Sequence, residues 1–197
     1  MPLTSYSFIP SLRKFNMPQR EALPHFKYHP DPIKSDVVVA SDRVCLCCQR
    51  ARGYMYEGPT FTTRRDIRDN ICPWCIADGS AAAKFNAKFA GVYPLFQAGV
   101  ARTIVDEVSM RTPGYICWQE NHWQSHCGDA CAFHGDATIE DVANASRATI
   151  DAWKTESNMK DEDWARLTDG YEPKGHVAFY KFVCRHCEMV LFSWDLD

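Results

Sequence analysis

The sequence predicts an α+β protein, with short antiparallel β-hairpins organised around structural zinc and helices packed beside them. Six of its ten cysteines form three pairs with two residues between them, which is the usual half-site of a zinc centre. Short β-branched or aromatic runs adjoin these pairs, and apolar residues at helical spacing fill the segments between them. A chain of 197 residues is long enough to bury a sizeable core.

The first 22 residues read as an N-terminal tail, because they contain prolines and no apolar period. Residues 23–32 are expected to be extended, since the residue before a proline is driven out of the α region. The aromatic side chains of this arm should pack on the body of the protein. We predict that residues 23–197 form one zinc-binding domain, either a single unit or two packed lobes, 23–100 and 101–197.

Strands and helices follow in order along the chain. A β-branched run predicts a strand at 37–39, and a run ended by Gly-Pro predicts another at 52–59. Thr138 and Asp141 resemble a capping box that opens a helix reaching Trp153. The remaining predictions are a helix capped by Ser80 with Gly91 as its stop, helices at 103–111 and 161–167, and strands at 177–183 and 189–194.

The first predicted metal site is formed by Cys45, Cys48, Cys72 and Cys75. Zinc needs four soft ligands at the corners of a tetrahedron, and two residues between cysteines let a tight turn aim both sulfurs at one point. Two such turns complete the coordination sphere. Cys47 breaks the two-residue spacing and is placed outside it. A site closed by four cysteines serves folding rather than catalysis.

Cys184 and Cys187 form a third half-site, which needs two further ligands. Cys127 and Cys131 are the nearest candidates, since a spacing of three residues is still compatible with ligation. A second zinc would then tie the end of the chain to its middle. The alternative is four reduced cysteines, one pair in a hairpin turn and the other in the core.

A group of histidines allows a different function, that of a metal-dependent hydrolase. His122 and His126 lie four residues apart, as in the zinc-protease motif, but Trp123 stands where that motif has its catalytic glutamate. The chain therefore lacks the protease signature. A hydrolytic site built from Glu120, His122, His126 and His134 remains as the alternative.

Composition bears on location and on partners. The net charge is −3, which provides no electrostatic argument for a nucleic-acid or membrane partner. The N-terminus lacks the continuous apolar run of a signal peptide, and no segment is apolar enough to span a membrane. We therefore expect a cytoplasmic protein, where cysteines serve metals rather than disulfides.

The negative charge is concentrated between residues 136 and 169, which carry nine acidic and four basic residues, a local net charge of −5. Such a surface suits the basic groove of a nuclease. Tryptophans among these charges would anchor the partner. The predicted partner-binding residues are Trp153, Asp161, Glu162, Asp163 and Trp164. The alternative is a pair of solvated helices with both tryptophans buried.

Several strings resemble the CbrC family of bacterial proteins. They are the arm at 23–32, the string Ile71–Gly79, and the segments beginning at Thr112 and His126. The resemblance extends from about residue 23 to the end. Glu188 departs from it, because a glycine usually follows the last cysteine of a zinc half-site. The resemblance implies tolerance to a bacterial toxin, so we predict an immunity protein that occludes the active site of a toxin, in particular a nuclease.

Overall fold

The computed structural model describes residues 20–119 and 121–197 and has the predicted mixed α+β architecture of short antiparallel strands and helices. Most of the predicted N-terminal tail, residues 1–19, lies outside the described residues. The strands are β1 (Val38–Ala40), β2 (Tyr54–Tyr56), β3 (Ser125–His126), β4 (Asp129–Ala130), β5 (Ala132–Asp136), β6 (Val177–Val183) and β7 (Val190–Leu196). The helices are α1 (Pro73–Ala77), α2 (Ser80–Phe85), α3 (Tyr93–Gln97), α4 (Arg102–Arg111), α5 (Ile139–Ala143), α6 (Arg147–Ser157) and α7 (Asp161–Thr168).

The first hairpin pairs β1 with β2 antiparallel, with Val39 opposite Met55. Both strands lie within or next to the predicted runs, but β2 is shorter because Gly53 adopts a left-handed φ of 86° at its start. A bridge from Tyr56 to Ile71 extends the pairing to the residue just before Cys72. The hairpin thereby holds the two halves of the first cysteine group side by side.

Helix α2 begins at the predicted place but ends early. Its N-cap is Gly79 rather than Ser80, and Asn86 closes the helix in the left-handed conformation with a φ of 47°. The predicted stop at Gly91 was therefore wrong. The physical reason is tertiary, since Lys88 pairs with Phe61 in an extended bridge and cannot also continue a helix.

Helices α4 and α7 confirm the sequence predictions. The region after Thr138, predicted as one helix, forms two. The capping box exists, with Asp141 N–H donating to Thr138 Oγ1 at 3.1 Å and Thr138 N–H donating to Asp141 Oδ2 at 3.0 Å. That helix stops at Ala143, and Ser146 caps a separate helix, α6. A single helix reaching Trp153 was wrong because a second cap intervenes.

A three-stranded antiparallel sheet, in the order β5-β6-β7, forms the frame of the C-terminal half. Strands β6 and β7 pair along their full length, from Val177 opposite Leu196 to Val183 opposite Val190. The turn between them carries the last cysteine pair. Helix α6 packs on β7 and buries Trp153 against Trp194, with their ring centroids 5.7 Å apart.

Aromatic side chains fill the core beside this sheet. Tyr115 stacks on Phe133 at 4.6 Å and contacts Phe182 edge-on at 5.6 Å. The N-terminal arm packs here as predicted, since Phe133 N–H donates to the carbonyl of Tyr28 at 2.8 Å. Tyr28 and His29 are fully buried, so the arm is part of the core.

Among the described residues, none of the helices combines the length and the apolar character that a membrane span requires.

Candidate metal centres

The first cysteine group assembles as predicted from Cys45, Cys48, Cys72 and Cys75. The Sγ–Sγ distances are 3.9 Å for Cys45 to Cys75, 3.7 Å for Cys48 to Cys72 and 3.6 Å for Cys72 to Cys75. A tetrahedral ion with metal–sulfur bonds of about 2.3 Å requires its sulfurs about 3.8 Å apart. The four sulfurs therefore already stand at coordination distance.

Local backbone geometry explains why the first pair converges. Gln49 N–H donates to the Cys45 carbonyl at 2.8 Å, and Cys45 N–H donates to the Arg50 carbonyl at 3.0 Å, which closes a tight turn. Gln49 has a left-handed φ of 58° in this turn. Cys72 is the N-cap of α1 and Pro73 starts that helix, which turns Cys75 back toward Cys72.

Electrostatics also favour a cation at this group. Hydrogen bonds from Cys72 and Cys75 lower the pKa of Cys45, while the hydrogen bond to Cys45 raises the pKa of Cys72 to about 12. Without a metal these thiols hydrogen-bond to one another, and a metal would displace their protons. Four thiolates on a divalent ion leave a net charge of −2, and the nearby cation of Arg52, whose guanidinium stacks on Trp74 at 4.1 Å, offsets part of that charge.

Cys47 lies outside the first group, as predicted. Its Sγ donates toward Ser80 Oγ at 3.5 Å, while its backbone N–H donates to Cys45 Sγ at 3.3 Å. The residue therefore stabilises the turn through its backbone rather than its thiol.

The second group differs from the predicted one in a single residue. It consists of His126, Cys127, Cys184 and Cys187, all with a ligand atom within 4.8 Å of the others. Cys127 Sγ lies 3.8 Å from Cys187 Sγ, and His126 Nδ1 lies 3.2 Å and 3.3 Å from these two sulfurs. Three thiolates and one imidazole are a common donor set for a four-coordinate metal.

Cys131, the predicted ligand, instead belongs to the apolar core. It is fully buried, and its backbone N–H donates to the Gln124 carbonyl at 2.9 Å between β4 and β5. Burial raises the pKa of its thiol. The predicted ligand was wrong because Cys127 lies in the β3–β4 turn with a left-handed φ of 52°, which brings the preceding His126, rather than Cys131, to the cluster.

The C-terminal pair of this group repeats the turn of the first. Glu188 N–H donates to the Cys184 carbonyl at 3.0 Å, and Cys184 N–H donates to the Met189 carbonyl at 2.8 Å. Glu188 takes the left-handed φ of 60° without being a glycine. Although burial opposes ionisation, the backbone N–H groups of Cys187 and His186 hold the pKa of Cys184 down to about 6.

Asp129 holds the turn that carries Cys184 and Cys187 in place. Its carboxylate accepts hydrogen bonds from Tyr28 OH at 2.8 Å and from Arg185 Nη1 at 2.6 Å, and it lies 3.0 Å from His186 Nε2. Arg185 and His186 are the two residues between the last cysteines. The buried carboxylate therefore fastens the metal-binding turn to the N-terminal arm.

The three described histidines of the alternative hydrolase do not form one site in the structure. His126 belongs to the cysteine group, His134 is exposed on β5, and His122 Nδ1 lies 4.0 Å from Glu156 Oε1. Glu120 lies outside the described residues. Among the described residues, the groups that could hold a metal are the two cysteine clusters.

The acidic partner surface is only partly as predicted. Asp161 and Glu162 are exposed at the start of α7, and Asp163 and Trp164 are partly buried. Trp153 is 1% exposed, so its predicted role as a contact residue was wrong: it faces β7 because it lies on the apolar side of α6. Arg147 and Lys154 both pair with Asp161, at 3.1 Å and 2.8 Å, which neutralises part of the charge.

Sequence reasoning missed a cleft of about 920 Å³ that separates residues 57–97 from residues 115–122. Its walls include Phe61, Tyr93 and Ile116, all large apolar side chains that remain exposed. The cleft is formed by segments that are far apart in the chain, so no local sequence pattern predicts it. The available signal was the presence of aromatic residues in segments without apolar periodicity.

Comparison with known proteins places this architecture in an uncharacterised group. The family model "Uncharacterised protein family (UPF0167)" matches residues 23–196. The protein PA1536 of Pseudomonas aeruginosa, also called a UPF0167 protein, is 46% identical over 181 residues, covering 89% of this chain and 97% of that protein. The UPF0167 proteins Mb2317 of Mycobacterium bovis and MT2352 of Mycobacterium tuberculosis are each 40% identical over 178 residues, covering 89% of this chain and 94% of each relative.

No solved structure matches the chain. The predicted membership of the CbrC family was wrong, because the matching family model and these bacterial relatives are all named UPF0167. The motifs quoted for the resemblance lie within residues 23–196 and belong to the UPF0167 match.

Proposed function

The chain belongs to the UPF0167 family, and we propose that it is a zinc-stabilised binding protein that neutralises a basic protein toxin, in particular a nuclease, by covering its active site. The observation that supports a binding role is the completeness of both metal groups. Each supplies four protein ligands at coordination distance. A zinc ion held this way has no open position for a substrate or an activated water. Such metals stabilise the fold, so we expect the binding function to lie on the protein surface.

Zinc is the metal that best suits these donors. Four thiolates, or three thiolates and an imidazole, in a tetrahedral arrangement favour zinc over magnesium or calcium, which prefer oxygen. We expect two zinc ions per chain when the purified protein is analysed by mass spectrometry. Cobalt substitution should produce two tetrahedral spectra that do not respond to azide, because azide binds only where a coordination position is open. An azide-dependent spectrum would contradict the structural role.

The negative charge of the C-terminal half favours a basic toxin as the partner. Residues 101–197 carry nine basic and seventeen acidic residues, a net charge of −8. Asp161 and Glu162 are exposed at the start of α7, where they would be open to a basic groove. Surface charges of this kind accelerate association and add little to folding stability.

The test is charge reversal at α7. Asp161→Lys together with Glu162→Lys should slow association with a captured nuclease, and the loss should shrink as salt rises. Asp163 is kept, because its carboxylate accepts the N–H of Lys160 and caps the helix. The matched control reverses Asp42 and Glu57, two exposed acids of the N-terminal half. Equal inhibition of the nuclease by all variants, with unchanged association rates, would reject the acidic surface as the docking site.

A further inference from the structure

The two halves of the chain carry opposite charge, which the overall net charge of −3 conceals. Residues 23–100 have ten basic and seven acidic residues, a net charge of +3, against −8 for residues 101–197. The net charge of the whole chain gives no electrostatic argument for a nucleic-acid partner, but the N-terminal half taken separately is positive and can attract an anion.

The positive charge of that half gathers at one corner. Phe61 and Lys88 are joined by two backbone hydrogen bonds of 2.8 Å and 3.0 Å. Arg64 and Lys84 both approach the ring of Phe85, at 5.6 Å and 5.3 Å. We call this the basic corner, and its cations are Arg64, Arg65, Arg68, Lys84 and Lys88.

Much of this charge is left without an acidic partner. Arg64 pairs with Asp66 at 2.6 Å, and Lys84 Nζ donates to the Cys47 carbonyl at 2.9 Å. Within residues 20–119 and 121–197, no carboxylate lies within ion-pair distance of Arg65, Arg68 or Lys88. All three side chains are exposed. Exposed, unpaired cations close together create a positive potential that attracts an anion.

Exposed aromatic rings stand beside this charge. Arg68, Phe61 and Tyr93 line the same 920 Å³ cleft, and Phe61 is 49% and Tyr93 70% exposed. Rings open to solvent at the mouth of a cleft offer stacking faces for a planar base, and nearby arginines can hold phosphate oxygens. Three acids also line the cleft, Glu57 and Asp69 on the wall that carries Arg68 and Glu156 elsewhere, and they would repel phosphate from its interior.

From this juxtaposition we propose that the basic corner and the adjoining cleft bind nucleotide units, with bases stacked on Phe61 and Tyr93 and phosphates held by Arg65, Arg68 and Lys88. The shared chemistry is a planar base joined to a phosphate. It can be supplied by a single-stranded nucleic acid or by a free nucleotide. The acids that line the cleft keep the phosphates at its edge, on the basic corner, while the uncharged bases enter the cleft.

Fluorescence anisotropy of the full, metal-loaded chain with a labelled single-stranded oligonucleotide of mixed sequence tests the proposal. Arg65→Ala combined with Arg68→Ala should weaken binding at low salt at least tenfold and reduce the slope of log affinity against log salt by about 1.4. Phe61→Ala combined with Tyr93→Ala should also weaken binding about tenfold or more, but should leave that slope unchanged. The matched control is Arg166→Ala with Lys174→Ala, two exposed cations of the other half.

Adenosine triphosphate and polyglutamate are the competing probes. Competition by the nucleotide, with the same sensitivity to both variants, supports the proposal and identifies a free nucleotide as the ligand. Competition by polyglutamate as strong as that of the strand would overturn it, because the corner would then bind any polyanion. Failure of the wild-type chain to bind either nucleotide probe would also overturn it, as would equal losses in the control. Metal content and thermal unfolding of each variant separate binding losses from misfolding.

Discussion

The two cysteine groups share one turn but occupy different surroundings. In each, the residue after the second cysteine of a pair, Gln49 or Glu188, adopts a left-handed φ near 60° and donates its N–H to the first cysteine's carbonyl. In the first group, three of the four ligands are buried within the apolar core of the N-terminal half. In the second, Cys127 and Cys187 are exposed and only Cys184 is buried.

This difference shows that similar ligand geometry can serve different structural needs. Among the described residues, the strands of the N-terminal half are one pair of three residues each, so the buried cysteine group cross-links a core with little sheet structure. The C-terminal half has a three-stranded sheet, one apolar cluster of its own and most of a second cluster, which also includes Tyr28 and Leu95. Its metal group fastens a hairpin that is already paired.

Loss of a ligand in the first group should have the largest effect. Cys72→Ser should unfold the N-terminal half, because structural zinc contributes on the order of 10 kcal/mol to such folds. The matched variant Cys187→Ser should lose one metal and remain folded, since β6 and β7 stay paired. Metal analysis and circular dichroism of both variants measure this. Equal unfolding would remove the distinction between the groups.

Exchange of one residue in the second group decides which ligand set is correct. His126→Ala should weaken the second metal about tenfold or more, whereas Cys131→Ala should retain both metals. Cys131→Ala should still lower the free energy of unfolding by about 1 kcal/mol, because it removes a fully buried sulfur. Titration with a competing chelator gives the affinities. Retention of the second metal by His126→Ala with its loss in Cys131→Ala would restore the four-cysteine assignment.

Lowering the pH should reveal a contribution of His29 to the free energy of unfolding that does not depend on either metal. His29 is buried, with Nδ1 2.8 Å from the Pro113 carbonyl, and burial lowers its pKa from 6.5 to about 4. The unfolded chain therefore binds this proton more readily, so the contribution is complete above pH 6.5 and is lost as pH falls toward 4. The shift corresponds to about 3 kcal/mol.

Denaturant unfolding of wild type and His29→Gln across that pH range measures the difference. Metal release by acid occurs in both proteins and cancels in the comparison. The variant should show a weaker loss of stability between pH 6.5 and 4. Parallel curves would mean that His29 is not held neutral in the folded protein.

The smallest expected effect concerns the shared turn. Gln49→Gly and Glu188→Gly each relieve a left-handed φ, but glycine also gains freedom in the unfolded chain. The two terms nearly cancel, and we expect changes within about 0.5 kcal/mol in thermal unfolding for both groups. A large change at Glu188 alone would show that the second turn is strained where the first is not.

Local patterns in the sequence determined much of the fold. The capping box at Thr138, the helix ending before Pro113 and the last two strands follow from chemistry between near neighbours. The first metal group is equally local, since each cysteine pair is aimed by its own turn. The apolar periodicity did not predict the end of α2 or the break after Ala143. The bridge between Phe61 and Lys88 ends α2, and the second cap at Ser146 causes the break.

The two-residue spacing within each cysteine pair was enough to predict that its sulfurs would converge at metal-binding distance, because a short turn can adopt few geometries. Tertiary packing was needed to place His126 rather than Cys131 in the second group, since both stand close to Cys127 in sequence. It also decided that Trp153 is core and that Phe61 and Tyr93 face one cleft. The physical reason is that strand register and helix packing set side-chain direction, and those depend on residues far away in the chain.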